Sequence, residues 1–203
     1  EHLLSALYGL GIDNVLVEVY GSELPIMDGS SLGFANGILS VGIKDLSKEK
    51  RAYYIKDAFE FRMGRKRIIF SPSDTLEIIY NISYDHPLVG DQSYHFVFSF
   101  EDYYYNISPS RTFGFLKDYK KLKEKGLATG ANPYNTVVLS DDTCINPTPL
   151  RFRDEFVRHK ILDLIGDLAL LGGFLVGRIE VFYGGHHLHY TGLRKLRGIN
   201  TLY

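Results

Sequence analysis

The chain has 203 residues, of which 45% are hydrophobic and 23% charged, so it can bury the core of one full domain or two small ones. Its formal net charge of −1 gives no electrostatic basis for nucleic acid as the main partner. The longest uncharged apolar stretch, residues 168–177, is roughly half of what a membrane span requires. A single cysteine, Cys144, excludes an internal disulfide and fits the reducing cytoplasm, where we expect the protein to act.

The first 46 residues predict a helix, a strand, a turn and a second helix. Leucines recur at helical spacing in EHLLSALYGLG, and Gly11 stands where a C-terminal cap is expected. The alternation in NVLVEVYG, residues 14–21, predicts a strand, and PIMDGS predicts a turn before a helix at about 32–39. The chain starts inside a helix and without Met, so we expect a preceding segment to be missing. The charged segment 44–51 is the best candidate for a linker.

After the linker, β-rich runs predict a meandering antiparallel sheet. The runs are AYYIKDAFEFRMG, RKRIIFSP, DTLEIIYNISYD and SYHFVFSFEDYY. A polar helix is expected over about 115–125, a strand at TVVL and a long helix over about 152–171. Short strands around FLVGRIEVFY, a turn at GGHHLH and a short basic tail complete the prediction. Together these elements predict an α+β fold with helices covering one face of the sheets.

The stretch DEFVRHKILDLIGD, residues 154–167, carries two different ridges if it is a helix. His159, Asp163 and Asp167 recur every four residues and form a polar ridge, whereas the opposite positions are an ordinary apolar core stripe. A helical His followed by Asp four residues later can grip one metal ion, but the same spacing suits a plain surface pair. Gly166 costs about 1 kcal/mol of helix propensity, which is tolerated more readily where something must approach the backbone.

Other histidines add weight to the metal interpretation. Three of them crowd the glycine-rich turn near the end of the chain, namely His186, His187 and His189. A catalytic zinc site needs three protein ligands and a base, which His2, His159, Asp163 and Glu1 could supply. Each residue also has an ordinary interpretation, as a frayed terminus, a helix-dipole residue or a solvated ring, so the spacing alone leaves both interpretations open.

Five blocks of sequence, taken in order, carry a family resemblance. They are EHLLSALYGLGIDN, PIMDGS, SRTFGF, LRFRDEFVRHKILDLIGDL and GGHHLH. In this order they closely resemble the UDP-3-O-acyl-N-acetylglucosamine deacetylases, the zinc amidases of lipid A biosynthesis, from residue 1 to about 196. The resemblance implies a two-domain layered α/β sandwich, with helices packed on mixed or antiparallel sheets. It implies an incomplete first domain at 1–46 and a second domain at 47–203, with a βαβ insert at about 113–140.

The resemblance also implies a set of catalytic residues. They are the zinc ligands His2, His159 and Asp163, the general base Glu1, the general acid His186 with its carboxylate partner Asp167, the oxyanion donor Thr112 and the substrate contact Lys160. Iron(II) can occupy such a His/His/Asp site as well as zinc. An amide hydrolase needs these parts, because its tetrahedral oxyanion must be stabilised and its poor amine leaving group must receive a proton.

By the same resemblance, Phe113 and the insert would build an apolar passage for the substrate's fatty acyl chain. The candidates for its wall are Tyr119, Ala128 and Val138. Tyr84 resembles the aromatic residue that stacks on uracil, and Lys66 resembles a phosphate contact. Plain core or surface packing explains these side chains equally well.

Two departures from the family pattern stand out. The family's turn reads GHxLN, whereas this chain has GHHLH, so His189 stands where Asn is expected and the local hydrogen bonding is open. The family also has a segment before EHLL that completes the first domain's sheet. We therefore expect a monomer, completed by that segment or by another chain that covers the exposed strands.

Three functions remain open at the level of the sequence. The leading hypothesis is zinc-dependent hydrolysis of the N-acetyl group of UDP-3-O-(3-hydroxyacyl)-N-acetylglucosamine, a small-molecule UDP-sugar lipid, releasing acetate in the committed step of lipid A biosynthesis. The second is a zinc hydrolase with a shifted amide substrate. The third is a non-catalytic fragment or binding module with the same fold.

Overall fold

The computed structural model describes residues 1–124, 126 and 130–199 of the chain. The strands are β1 (Ala52–Tyr54), β2 (Phe59–Met63), β3 (Lys66–Ser71), β4 (Leu76–Tyr84), β5 (Gly90–Val97), β6 (Phe113–Phe115), β7 (Val137–Leu139) and β8 (Phe174–Phe182). The helices are α1 (His2–Gly9), α2 (Leu32–Val41), α3 (Phe100–Asp102), α4 (Leu116–Glu124), α5 (Glu155–Leu168) and α6 (His186–Ile199). A π-helical turn, Tyr103–Ile107, follows α3, and a 3₁₀ turn, Ala169–Leu171, follows α5.

The main sheet is mixed, and the predicted antiparallel meander is wrong. Within the described residues, it has six strands in the order β2-β3-β8-β4-β5, with β1 paired to the first part of β8. Strand β8 comes from the far end of the chain and lies between β3 and β4. It runs antiparallel to β3 and parallel to β4, so Ile179 pairs with both Phe70 and Ile78. Burial of these side chains in one core explains an order that local patterns do not encode.

One face of the sheet is apolar and covered by helices. Alternate residues of the central strands are buried on that face: Ile68, Phe70, Ile78, Tyr80, Ile179 and Val181. Helix α5 packs on β4 and β5, and helix α6 packs on β2 and β3. Glu77, Arg178 and Glu180 occupy alternate positions that point to the other face. The prediction of an α+β fold is therefore confirmed.

The strand predicted for residues 14–21 is wrong. This segment has no regular secondary structure, and its side chains are exposed, Leu16 at 84% and Tyr20 at 94%. An alternating sequence becomes a strand when a neighbour satisfies its backbone groups, and no strand in the described part of the chain pairs with it. The local pattern thus did not suffice.

The turn and basic tail predicted for the end of the chain are also wrong. Helix α6 begins at His186, directly after Gly184 and Gly185, and continues to Ile199. Leu188 and Leu193 are buried on its inner side, against the sheet. Their burial stabilises a helix that the glycine-rich local sequence did not predict.

A smaller unit follows the main sheet's first five strands. Strands β6 and β7 are parallel and are connected through α4, so they form a βαβ unit at 113–139. The division of the chain into domains near residue 46 stays a prediction. None of the helices that the structure describes is long and apolar enough to cross a membrane.

A buried ion pair fastens the start of α5 to the loop before β6. Arg111 Nε donates to Glu155 Oε1 at 2.8 Å, and their side chains are 6% and 0% exposed. The same carboxylate accepts from the backbone N–H of Arg111 and of Arg151. Its charge is therefore matched by several donors, which the low-dielectric interior requires.

We expect Glu155→Ala to lower the free energy of unfolding by about 3 to 5 kcal/mol, because it leaves Arg111 buried and unpaired. Glu60→Ala is the control, since Glu60 pairs with Arg62 at the surface, and it should cost no more than about 1 kcal/mol. Urea-induced unfolding measures both variants. Equal losses would contradict a special role for the buried pair.

Candidate functional site

The first residues of α1 lie against the backbone of α5 at Gly166. A Cβ atom at this position would lie 2.4 Å from the carbonyl oxygen of Glu1, closer than atoms can approach. A glycine is therefore required for the two chain segments to meet. This contact confirms the expectation that something approaches the backbone at Gly166, and it brings Glu1 and His2 beside the polar ridge of α5.

The structure brings His2, His159 and Asp163 together. One potential ligand atom from each residue lies within 4.8 Å of the other two. His159 Nε2 is 3.2 Å from Asp163 Oδ1, and the rings of His2 and His159 meet edge to face at 5.1 Å. All three side chains are buried, so the interpretation of His159 and Asp163 as a solvated surface pair is wrong.

Unpartnered atoms show that these residues fit a cation. Among the described residues, nothing hydrogen-bonds to His2 Nε2 or Asp163 Oδ1, although both atoms are buried. Burying a polar atom without a partner costs free energy, which a bound cation would offset. The Nδ1 of His159 donates to the carbonyl of Ser110 at 3.0 Å, which leaves Nε2 as the free lone pair. Two imidazoles and one carboxylate form a donor set that suits zinc and leaves a coordination position open.

The protonation states also suit metal binding, which requires deprotonated ligands. Burial lowers the pKa of His2, so this ring is neutral at pH 7. Burial alone would raise the pKa of Asp163, but Lys160, His159 and His186 together outweigh it and hold that pKa well below its usual range. The Lys160 ammonium donates to Asp163 Oδ2 at 2.9 Å, on the side away from the unpartnered Oδ1.

Two serine residues fasten the start of α1. Ser31 Oγ donates to the carbonyl of His2 at 2.8 Å, and the N–H of Ser5 donates to the carbonyl of Glu1 at 2.8 Å. The His2 carbonyl is thus held by a side chain from outside α1, and the Glu1 carbonyl by the first turn of α1 itself. Sequence reasoning missed Ser31 and Ser110, because a hydroxyl or carbonyl that orients another residue has no distinctive spacing.

Glu1 faces both the cation site and His186. Its Oε1 lies 3.9 Å from His2 Nε2 and 3.9 Å from His186 Nε2. His186 Nδ1 in turn donates to Asp167 Oδ2 at 2.9 Å. That hydrogen bond raises the pKa of His186, against the opposing effect of partial burial. A carboxylate and a readily protonated imidazole therefore stand on the exposed side of the same centre.

The hydrogen bonds of His189, which the sequence left open, are made to the partly buried Asp167 and the buried Tyr80. Its Nδ1 bonds Asp167 Oδ2 at 2.7 Å, and its Nε2 bonds the Tyr80 hydroxyl at 2.8 Å. In the sequence, His189 was singled out because it stands where the family has Asn. Tyr80 had no signal beyond its place on the buried face of a strand.

An adjoining cleft of about 640 Å³ runs from Glu1 along the βαβ unit. Thr112, Phe113, Tyr119 and Val138 all line it. Phe113, Tyr119 and Val138 are candidates for the acyl passage, and Thr112 is the candidate oxyanion donor. The N–H of Thr112 donates to the carbonyl of Gly29 at 2.7 Å, which fixes the backbone of Thr112 in the wall of the cleft that Glu1 also lines. Ala128 lies outside the described residues.

Three further candidates are Tyr84, Lys160 and Lys66, of which the first two lie against Phe113 of the cleft. Tyr84 ends β4, and its ring lies 5.6 Å from those of Phe113 and Phe115, two residues of the cleft. Lys160 holds its ammonium 5.6 Å from the centre of the Phe113 ring. Lys66 is exposed at the start of β3, at the sheet end where β8 leads into α6. The roles of all these residues stay predictions.

Comparison with known proteins gives a consistent result. Residues 1–197 match the family model described as LpxC, UDP-3-O-acyl N-acetylglycosamine deacetylase. A protein of Aliarcobacter butzleri named UDP-3-O-acyl-N-acetylglucosamine deacetylase is 46% identical over 197 residues, 97% of this chain and 65% of that protein. Proteins of the same name from Nitratiruptor and Syntrophus aciditrophicus are 45% and 47% identical. The matched part of the chain spans less than two thirds of each of these relatives, 65%, 66% and 60%.

We expect Gly166→Ala to weaken zinc binding by roughly 10-fold or more, because the new methyl group must displace the backbone that carries His2. Gly37→Ala in α2 is the control, since a Cβ there meets no atom within 4 Å. Zinc titration of both variants, with circular dichroism to verify folding, measures the effect. Unchanged zinc affinity in Gly166→Ala would contradict the importance of this contact.

Proposed function

Because the chain belongs to the family of UDP-3-O-acyl-N-acetylglucosamine deacetylases, we propose that it hydrolyses the N-acetyl group of UDP-3-O-(3-hydroxyacyl)-N-acetylglucosamine. The products are acetate and the free amine. The observation that carries the proposal is that a cation-binding set, a carboxylate and a protonatable imidazole adjoin each other, and that the carboxylate residue, Glu1, also lines the apolar cleft. Amide hydrolysis needs these groups together.

His2, His159 and Asp163 would hold the metal ion, which we propose to be zinc, with iron(II) as the other ion that suits these donors. When bound, the ion supplies a Lewis acid for the acetyl carbonyl and for the attacking water. His159 is oriented for this role by Ser110, and Asp163 by Lys160.

Glu1 would take a proton from the attacking water while the water oxygen bonds to the acetyl carbon. Thr112 would donate its hydroxyl to the oxyanion that develops on the carbonyl oxygen. His186 would then give its proton to the amine nitrogen while the carbon–nitrogen bond breaks. Asp167 keeps that imidazole protonated, because its negative charge favours the cationic ring.

The apolar cleft would receive the fatty acyl chain. Phe113, Tyr119 and Val138 present apolar surface along it, and Ala128 remains a proposed fourth wall residue. Lys160 would contact the sugar, next to the reacting group. Tyr84 would stack on uracil, and Lys66 would contact a phosphate.

We further propose that the reaction is the committed step of lipid A biosynthesis and takes place in the cytoplasm. The single cysteine fits a reducing compartment. We propose a monomer in which residues 1–46 form the C-terminal part of a first domain that a further segment or another chain completes. The exposed apolar side chains of residues 15–27 support such a cover.

Elemental analysis and a deacetylation assay with the UDP-sugar test this proposal together. The expected outcome is one divalent ion per chain and release of acetate from the UDP-sugar in preference to simple N-acetyl amides. A preference for simple N-acetyl amides would instead support the second hypothesis, a zinc hydrolase with a shifted amide substrate. Absence of bound metal and of acetate release would indicate a non-catalytic module.

Two variants should separate metal binding from proton transfer. We expect Asp163→Ala to lose the metal and the activity, because it removes a ligand. Glu1→Gln should keep one ion per chain and lower kcat by about 10² to 10⁴-fold, because it removes the base while preserving shape. Metal content and initial rates are measured on the same samples. Turnover of Glu1→Gln at the parent rate would disprove the base assignment.

The pH profile tests the pairing of His186 with Asp167. His186 acts in its protonated form, so its raised pKa extends activity to higher pH. Asp167→Asn removes the charged acceptor, the pKa of His186 falls, and the alkaline limb of kcat/KM should move to lower pH. Asp154→Asn, which breaks an ion pair with Arg158 at the start of α5, is the control and should leave the limb in place. An identical alkaline limb in both variants would refute the pairing.

A further inference from the structure

A chain of hydrogen bonds leads from the centre of the sheet to His186. The Tyr80 hydroxyl of β4 lies 2.8 Å from His189 Nε2, and His189 Nδ1 lies 2.7 Å from Asp167 Oδ2. The same Oδ2 accepts from His186 Nδ1 at 2.9 Å. Tyr80 and His189 are both 0% exposed, so the hydrogen bond between them does not compete with solvent.

The positions of the protons follow from the chemistry of the partners. An ionised carboxylate only accepts, so the Nδ1 atoms of His186 and His189 must both donate to Asp167. Burial lowers the pKa of His189, so this ring is neutral and its Nε2 is an acceptor. Burial raises the pKa of Tyr80 well above its usual range, so its hydroxyl keeps its proton and donates to that Nε2.

Gly184 leaves room for the hydrogen bond between Tyr80 and His189. A Cβ atom at Gly184 would lie 2.4 Å from the Tyr80 hydroxyl oxygen and 3.0 Å from His189 Nε2. A side chain at this position would therefore displace one partner of the hydrogen bond. The N–H of His189 also donates to the carbonyl of Gly185 at 3.0 Å, which holds the ring on the first turn of α6.

A neutral donor has a specific effect on Asp167. It fixes the carboxylate in one orientation, but it does not cancel the negative charge that favours protonated His186. A protonated His189 would share that charge and lower the proton affinity of His186. The titratable groups near His189 in the described part of the chain are Tyr80 from β4, Asp163 and Asp167 from α5, and His186 from α6.

We infer that His189, held by Tyr80, is a positioning residue that fixes Asp167 against His186 while leaving the carboxylate charge to the general acid. This inference rests on the proposed function, because it assigns the second step of that reaction to His186. Tyr80 acts through His189, to which its hydroxyl donates.

Tyr80→Phe tests the inference kinetically, because it removes one hydroxyl and preserves the ring. We expect kcat to fall about 10-fold with KM unchanged, and the alkaline limb of the pH profile to move to lower pH. Tyr53→Phe is the matched control, since Tyr53 is also a buried tyrosine with one hydrogen bond, from its hydroxyl to the carbonyl of Leu171. A Tyr80→Phe profile identical to that of Tyr53→Phe would overturn the inference.

Two substitutions of His189 provide a second comparison. In His189→Asn the amide nitrogen can take the place of Nδ1 and donate to Asp167, whereas His189→Leu offers no donor. We expect His189→Asn to retain most of the activity that His189→Leu loses. Equal activity of the two folded variants would show that the donor to Asp167 has no role.

Nitrogen NMR of metal-loaded protein with ¹⁵N-labelled histidine gives a readout that needs no turnover. We expect one ring, assigned by its loss in His189→Asn, to stay neutral with its proton on Nδ1 as pH changes, and to become pH-dependent in Tyr80→Phe. A proton on Nε2 of that ring would overturn the inference. If the protein released no acetate, the proposed function would fail, and the NMR result would still decide whether this hydrogen-bonded chain exists.

Discussion

The candidate site depends on the close approach of two backbones, that of Glu1 and that of α5 at Gly166. A methyl group at Gly166 would overlap the Glu1 carbonyl, so the contact forms only with glycine. The other end of α1 is fixed in the same manner, because a Cβ at Gly9 would overlap the ring of Tyr103. With both ends of α1 located, His2 is held over the polar ridge of α5, and residues distant in sequence form one centre.

Burial of polar groups is the cost of this arrangement, and neighbouring charges offset it. Asp163 is ionised in the interior because Lys160 donates to one of its oxygens, while the other oxygen is left for a cation. The partly buried carboxylate of Asp167 is stabilised in the same way, because it accepts hydrogen bonds from His186 and His189. The ridge of α5 therefore divides into Asp163, which keeps one oxygen unpartnered, and Asp167, which holds two imidazoles, each with its own hydrogen-bonded support.

The polar ridge of α5 could be predicted from the sequence, because the spacing of residues on a helix depends on local geometry alone. The same holds for Gly166, whose low helix propensity indicated a close approach. The order of the main sheet could not be predicted. Strand β8 enters between β3 and β4 because Ile179 packs with their buried side chains, and such contacts join segments about a hundred residues apart.

The sequence by itself determined the α+β class, the family and the residues that could bind a cation, since composition, periodicity and ordered motifs express these directly. The tertiary structure alone decided that residues 14–21 lack a paired strand and that GGHHLH begins a helix. It also decided that Tyr80 reaches His189, because alternation in a strand shows which face is buried but not which group lies above it. Local geometry is written in neighbouring residues, whereas contacts between distant segments depend on the packing of the whole core.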